Sequence, residues 1–216
     1  MKIAVLGTGP VGNAIGSKLV ALGHDVVMGS RTPYNEKATE WAANNGDKAS
    51  NGTFADAVSQ SDVVVLATNG GATLDIVKLG GITNFKGKVV IDISNPLDFS
   101  KGMPPTLLPD FNNTTSLAEE VQKLIPDAQV VKTWNTMNAS LMVNPAMLPD
   151  PGTIFVSGNS AEAKTTVKGI LEAVGWKHIL DLGDITSARG AEQLVILWVR
   201  IWGALGTPQF NFKIVQ

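Results

Sequence analysis

Lys2-Ile3-Ala4-Val5-Leu6-Gly7-Thr8-Gly9-Pro10-Val11-Gly12 is the stretch that decides the fold. Ile3 to Leu6 is an unbroken apolar run, the pattern of a strand buried on both faces of a sheet. Gly7, Gly9 and Gly12 then fit G-x-G-x-x-G. Helical spacing follows from Val11 to Leu22 and closes at Gly23. A glycine-rich turn between a strand and a helix is the context that gives this pattern its meaning. Gly7 permits the turn, Gly9 admits a pyrophosphate close to the backbone, and Gly12 lets helix and strand pack. Free N–H groups at the helix start hold the phosphates. Residues Gly7, Thr8, Gly9, Pro10, Val11 and Gly12 are therefore the expected dinucleotide-binding loop.

The second strand, Asp25 to Met28, selects the dinucleotide. Proteins that take NAD carry an acid about 20 residues past the glycines to bind the ribose 2′-hydroxyl. Here the strand runs out through Met28-Gly29-Ser30-Arg31-Thr32, with no acid at that place. Ser30 and Thr32 offer hydroxyl donors. Arg31 adds a fixed charge whose planar fork suits a phosphate. This ending predicts NADP(H) rather than NAD(H), with Lys37 as a second candidate cation one turn further on.

Strands and helices alternate along the rest of the chain. Helical patterns occupy Glu36 to Asn44, Phe54 to Gln60 and Ala72 to Lys78. Strand patterns occupy Ala49 to Thr53, Val63 to Ala67 and Lys88 to Ile93. Ser100 to Asn113, rich in proline and polar residues, reads as a surface loop. Ser116 caps a helix over Leu117 to Leu124, with Glu119 and Glu120 in its first turn. Gln129 to Trp134, Thr153 to Ser157 and Ile179 to Leu182 read as strands. Ala161 to Val174 and Ser187 to Leu205 read as helices. The grammar is that of a Rossmann-type, doubly wound α/β fold with a mainly parallel sheet and a small C-terminal α/β extension. Two prolines near Leu148 to Gly152 mark a soft boundary. It separates a nucleotide-binding unit, 1–150, from a C-terminal region, 151–216, expected to complete the acceptor site and the dimer contact.

Ligands of open α/β sheets bind beyond the carboxyl ends of the strands. Thr68, Asn69 and Gly70 follow the fourth strand, Asn95 and Pro96 the fifth, and Asn135, Thr136 and Met137 the sixth. These segments carry polar groups able to orient a ribose or a nicotinamide amide, although Asn and Pro also end strands for purely local reasons. Asp92, near the end of a buried strand, reads as a hydrogen-bonded structural group rather than a base.

Composition excludes several chemistries. The chain has 216 residues and no cysteine, so it holds no disulfide, thiolate metal site or cysteine nucleophile. His24 and His178 are its only histidines, too few for a histidine metal site. A formal net charge of −2 gives no reason to expect a nucleic-acid partner. The stretch Leu194 to Leu205 is too short to span a membrane and is interrupted by Arg200. The N-terminus shows no secretory pattern. The expectation is a soluble protein of the cytoplasm. The last helix carries Leu194, Val195, Leu197, Trp198, Ile201, Trp202 and Leu205 and is apolar nearly all round. Such a helix needs burial on most sides. A homodimer through it is expected, with Trp198 or Met137 at the edge of the substrate pocket.

Lys2 to Gly9, the Leu22-Gly23-His24-Asp25 turn and the Gly29-Ser30-Arg31 ending resemble the coenzyme F420-dependent NADP oxidoreductase family. Lys132-Thr133-Trp134-Asn135-Thr136 and the tail from Pro208 to Val215 do so too. The cytosolic domain of the STEAP metalloreductases is similar in fold. The resemblance implies that NADPH binds through Thr8 to Val11, Ser30 and Arg31, with the nicotinamide near Asn95 and Asn135 to Ala139. It implies hydride transfer to a stacked F420 or FMN/FAD ring, and a dimer. Archaeal members place a histidine where this chain has Asn135. Hydride transfer between stacked rings asks for orientation and a dry pocket more than for a side-chain acid, and no catalytic His, Cys or Lys is evident at the strand ends. Two other readings compete. One is an NADPH-dependent small-molecule dehydrogenase, which would need a basic group such as Arg189 or Arg200 for a carboxylate. The other is a non-enzymatic NADP(H) sensor.

Overall fold

A computed structural model describes residues 1–111 and 113–216. The chain runs β1 (Lys2–Leu6), α1 (Pro10–Ala21), β2 (Asp25–Ser30), α2 (Glu36–Asn44), β3 (Ala49–Thr53), α3 (Phe54–Ser59), β4 (Val63–Leu66) and α4 (Thr73–Gly80). It continues through β5 (Val89–Asp92), β6 (Leu97–Asp98), β7 (Thr106–Leu107), α5 (Leu117–Leu124), β8 (Gln129–Lys132) and α6 (Ala139–Val143). It ends with β9 (Ile154–Gly158), α7 (Ala161–Val174), β10 (Ile179–Asp181) and α8 (Ala188–Leu205).

Eight strands form one sheet in the order β10-β9-β8-β5-β4-β1-β2-β3. The six strands from β3 to β8 are parallel. β9 joins β8 antiparallel and β10 follows β9 in parallel. The order 3-2-1-4-5 reverses at β1 and β4, the crevice where such sheets bind dinucleotides. Two-residue periodicity divides the core. Ile3, Val5, Val63, Val65 and Ile91 face α1, α2 and α7, whereas Ala4, Leu6, Val64, Leu66 and Val90 face α3, α4 and α5. The strands therefore show no polar alternation.

At the first turn Gly7 has φ +127°, and a Cβ on Gly12 would stand 2.0 Å from the Gly7 carbonyl oxygen. Only glycine allows α1 to start this close to β1. Inside the expected loop Ser100–Asn113 the chain forms β7, which pairs antiparallel with β6, and a 3₁₀ turn at Pro109–Phe111. Two-residue strands are too short to leave a period in the sequence. Asn112, within that expected loop, lies outside the described residues.

The last helix is bolted onto the sheet by buried charge. Lys132, at the end of β8, places Nζ 2.9 Å from Asp92 Oδ2 and 2.8 Å from Glu192 Oε1 on α8, all three side chains at 0–1% exposure. Nζ also donates to the Ser94 carbonyl. Glu192 in turn accepts the N–H groups of Leu117 (2.9 Å) and Ala118 (3.1 Å), the first two of α5. Ser116 accepts the third, from Glu119. Arg189 adds a bidentate pair with Glu119 at 2.8 and 2.6 Å. A carboxylate at a helix N-terminus satisfies orphan donors and meets the positive end of the helix dipole.

Candidate functional site

Two cavities open at the carboxyl ends of the strands and meet at Gly9, Ala67, Thr68 and Asn69. The smaller, about 270 Å³, is lined by Gly7, Thr8 and Gly9 from the first turn and by Gly29, Ser30 and Arg31 from the end of β2. Asn35, Phe54, Ala72 and Ile76 complete it. The larger, about 450 Å³, runs from Gly9, Pro10 and Val11 past Ser94, Asn95, Asn135, Met137, Asn138 and Ala139 to Val195, Trp198, Val199 and Trp202 on α8.

The first cavity suits a dinucleotide. No side chain caps the N-terminus of α1. The N–H groups that α-helix geometry leaves unpaired are thus available to a phosphate. A Cβ on Gly9 would meet nothing within 4 Å, so the backbone there faces open space. At the far end Ser30 Oγ donates to the Thr32 carbonyl at 2.6 Å. The Ser30 proton is therefore committed, and the exposed Arg31 is the cation at this mouth.

The sequence-derived residues divide by position. Gly7, Thr8, Gly9, Ser30, Arg31, Thr68 and Asn69 line the smaller cavity. Gly9, Pro10, Val11, Thr68, Asn69, Gly70, Asn95, Asn135, Met137 and Ala139 line the larger. Gly12 is buried beneath the loop as a packing glycine, and Pro96 and Thr136 are buried behind the cavity wall. Thr32 lines neither cavity, and Lys37 lines a separate depression with Thr8, Asn13 and Glu40. Neither histidine lines either cavity. Arg189 is occupied by Glu119, and Arg200 is exposed beside Met103, Pro104 and Trp202.

Asn95 and Asn135 are locked to each other. Asn95 Nδ2 donates to the Asn135 carbonyl (2.8 Å), and Asn135 Nδ2 donates to Asn95 Oδ1 and to the Ala191 carbonyl, both at 2.9 Å. Trp134, just before Asn135, adopts φ +62° and is buried, with Nε1 donating to the Met142 carbonyl at 3.1 Å. This left-handed residue turns the chain so that Asn135 meets both Asn95 and α8.

Sequence reasoning read Asp92 as a hydrogen-bonded structural group, which it is, but missed its partner Lys132, a lysine at a strand end, and with it Glu192. The one signal is a cation directly after Val130-Val131. Burial works against the Lys132 charge, but Asp92 and Glu192 more than offset this and raise its pKa. Burial likewise raises that of Glu192, with Lys132 pulling down and Asp92 pushing up. For Glu119 burial is outweighed by Arg189 and Ser116, which hold its carboxyl below the ordinary value. None of the three clustered groups lines the larger cavity, and none of that cavity's lining residues is ionisable.

Comparison with known proteins agrees with this geometry. The family model described as NADP oxidoreductase, coenzyme F420-dependent, matches residues 2–96. A solved structure from Arthrobacter sp. FB24, provisionally named an F420-dependent NADP reductase, superposes with a TM-score of 0.95 at 48% identity, covering 100% of both chains. The F420-dependent NADP reductase of Methanocaldococcus jannaschii is 31% identical over 210 residues, 92% of this chain and 91% of the relative. Metalloreductase STEAP3 of Rattus norvegicus is 29% identical over 203 residues, 93% of this chain, which spans 38% of that longer protein. No helix among the described residues is long and apolar enough to cross a membrane. The chain belongs to the F420-dependent NADP oxidoreductase family.

Proposed function

We propose that this protein transfers a hydride between NADPH, laid along the glycine turn, and the ring of F420 or a related flavin held in the larger cavity. The observation that carries the reading is that, among the described residues, those lining that cavity are all non-ionisable. Reducing a ketone or an imine asks for a positioned proton donor. Transfer between two stacked rings asks chiefly for orientation and exclusion of water. Bound NADPH would supply a hydride and water one proton, so that the acceptor ring would gain two electrons.

The chain's own residues would share this task. The backbone from Gly7 to Gly12 receives the pyrophosphate, and Arg31 beside Ser30 receives the 2′-phosphate. Asn95 and Asn135, cross-linked by their own hydrogen bonds, form a rigid wall for the nicotinamide, with Met137 and Ala139 alongside. α8 covers the acceptor with Val195, Trp198 and Trp202. In this reading residues 1–150 bind the nucleotide while 151–216 complete the acceptor site. Leu197 and Leu205 on α8 are exposed, and we read this apolar face as the contact of a homodimer. We read the protein as cytoplasmic because its reductant is a cytoplasmic one.

Anaerobic oxidation of NADPH by the purified protein, with F420, FMN and FAD supplied in parallel, tests the assignment. Turnover with F420 well above that with either flavin is expected. NADPH binding without turnover of any of the three would overturn it and favour a sensor.

A further inference from the structure

The chain has three arginines. Arg31 stands at the mouth of the nucleotide cavity. Arg189 is held by Glu119 in a bidentate pair. Arg200, on α8, is exposed and has no hydrogen-bond or ion-pair partner among the described residues. Its neighbours Val199 and Trp202 line the larger cavity, but Arg200 itself does not.

Arg200 lines an adjoining groove of about 430 Å³ with Met103, Pro104, Val199, Trp202 and Gly203. The groove and the larger cavity meet at Met103, Val199 and Trp202. A Cβ on Gly203 would meet nothing within 4 Å, so the groove is open along that backbone. Large apolar side chains stand bare at this mouth: Phe99 is 50% exposed, Met103 62% and Trp202 38%. Among the described residues, those lining the larger cavity are all non-ionisable, and Arg200 is the one ionisable residue lining the groove. The two spaces therefore divide a ligand into a neutral part inside and an anion outside. A guanidinium with its donors free offers a planar fork to a pair of anionic oxygens.

We propose that the groove beside Arg200 is a subsite for a phosphate ester carried on a side chain of the acceptor ring. Through it the protein would select phosphate-bearing acceptors over the same ring without the phosphate. This rests on reading the larger cavity as the acceptor site. F420, FMN and FAD each carry a phosphate at the end of a ribityl chain. With the ring in the neutral cavity, that chain would leave between Met103 and Trp202, where its hydroxyl groups keep water. A small carboxylate substrate would not fit this arrangement. Its reacting carbon would sit by Asn95 and Asn135, and the far end of the cavity, with Val199 and Trp202, separates that place from Arg200.

Equilibrium titration of the NADP+ complex tests this through binding rather than turnover. The two ligands are F420 and its ring with the ribityl chain freed of phosphate. F420 should bind about tenfold tighter, the low end for a hydrogen bond to a charged group, as an exposed site requires. In Arg200→Met the two affinities should converge. Arg200→Lys should keep part of the difference, since it retains the charge without the fork. FMN against riboflavin repeats the comparison on a second ring. Equal affinities in the native protein would overturn the subsite and leave the acceptor cavity standing. A difference that survives Arg200→Met would overturn it too, by giving the phosphate to another group. So would a loss of NADP+ affinity in Arg200→Met, which would assign this arginine to the nucleotide. If NADP+ binds and no ring does, with or without phosphate, the acceptor reading itself fails and the subsite falls with it.

Discussion

Replacing Lys132 with methionine probes the cluster that joins α8 to the sheet. The side chain is fully buried, and its ammonium is the partner of two carboxylates at 2.9 and 2.8 Å. Removing one member of a buried ion pair costs about 3–5 kcal/mol, because the other is left charged and unpaired. Here two acids lose their cation. Each keeps other donors: Asp92 Oδ1 holds the Ser94 N–H (3.0 Å) and hydroxyl (2.5 Å), and Glu192 holds the N–H groups of Leu117 and Ala118. The loss should therefore fall near the lower bound, about 3 kcal/mol. Urea unfolding followed by tryptophan fluorescence would read it as a drop in midpoint of about 1.5 M, taking a slope of about 2 kcal/mol per M.

The same variant should steepen the pH dependence. The folded pKa of Lys132 is raised, so its contribution is complete below the ordinary lysine value, about 10.4, and is lost as pH climbs through the folded value. That of Glu192 is also raised, chiefly by burial, so the folded state binds its proton more tightly than the unfolded chain does. Without Lys132 that value climbs further. Lys132→Met should then recover stability as pH falls toward the ordinary carboxylate range, more steeply than the native protein does. A loss below about 1 kcal/mol with no such recovery would mean that the cluster is hydrated and exerts no hold on α8.

Three other perturbations address the site. Arg31→Ala should weaken NADPH binding by about 1.5–3 kcal/mol and leave NADH nearly unchanged; equal losses in calorimetry would refute the 2′-phosphate assignment. The isolated hydride-transfer step, followed by single-turnover absorbance, should be flat from about pH 6 to about pH 9, because no ionisable group lines the cavity. A bell-shaped profile would point to an acid absent from this wall. Gly12→Ala would force a Cβ to 2.0 Å from the Gly7 oxygen, so the first turn must open. Nucleotide affinity should then collapse with a fall in Tm, and an unaltered affinity would show that the turn yields freely.

Continuous Val/Ile runs made β1, β4, β5 and β8 readable in the sequence, and the glycine spacing fixed the nucleotide end. Ser30 and Arg31 were legible because β2 carries them straight to the cavity. Other features left no local trace. α6 has five residues, too few to establish a period. The ion partners of Lys132 arrive from β5 and α8, the nearer one 40 residues away in the chain. Glu192 reaches 75 residues back to cap α5. The apolar last helix suggested a dimer surface with Trp198 or Met137 at the pocket edge, and both residues line the larger cavity. That Trp198 also stacks on Phe210 depends on how the tail folds back after α8.

Three distant segments meet at Asn135, which explains why the acceptor end of the site depends on the whole fold and the nucleotide end does not. The left-handed turn at Trp134 costs about 1 kcal/mol for a residue with a Cβ, offset by full burial of the indole and its bond to Met142. That turn brings Asn135 under α8, where one amide joins the ends of β5 and β8 to the Ala191 carbonyl. Ala191 precedes Glu192, so the polar wall of the cavity and the buried charge cluster are held by adjacent residues of one helix turn. Loosening α8 must therefore displace Asn135 and, in the proposed function, the acceptor with it. The turn at Gly7 and the end of β2 rest on strands at the other side of the sheet and share none of these contacts. Defects in α8 should accordingly slow turnover more than they weaken the nucleotide, whose phosphates are held by other strands, and defects at Gly12 or Arg31 should weaken the nucleotide first.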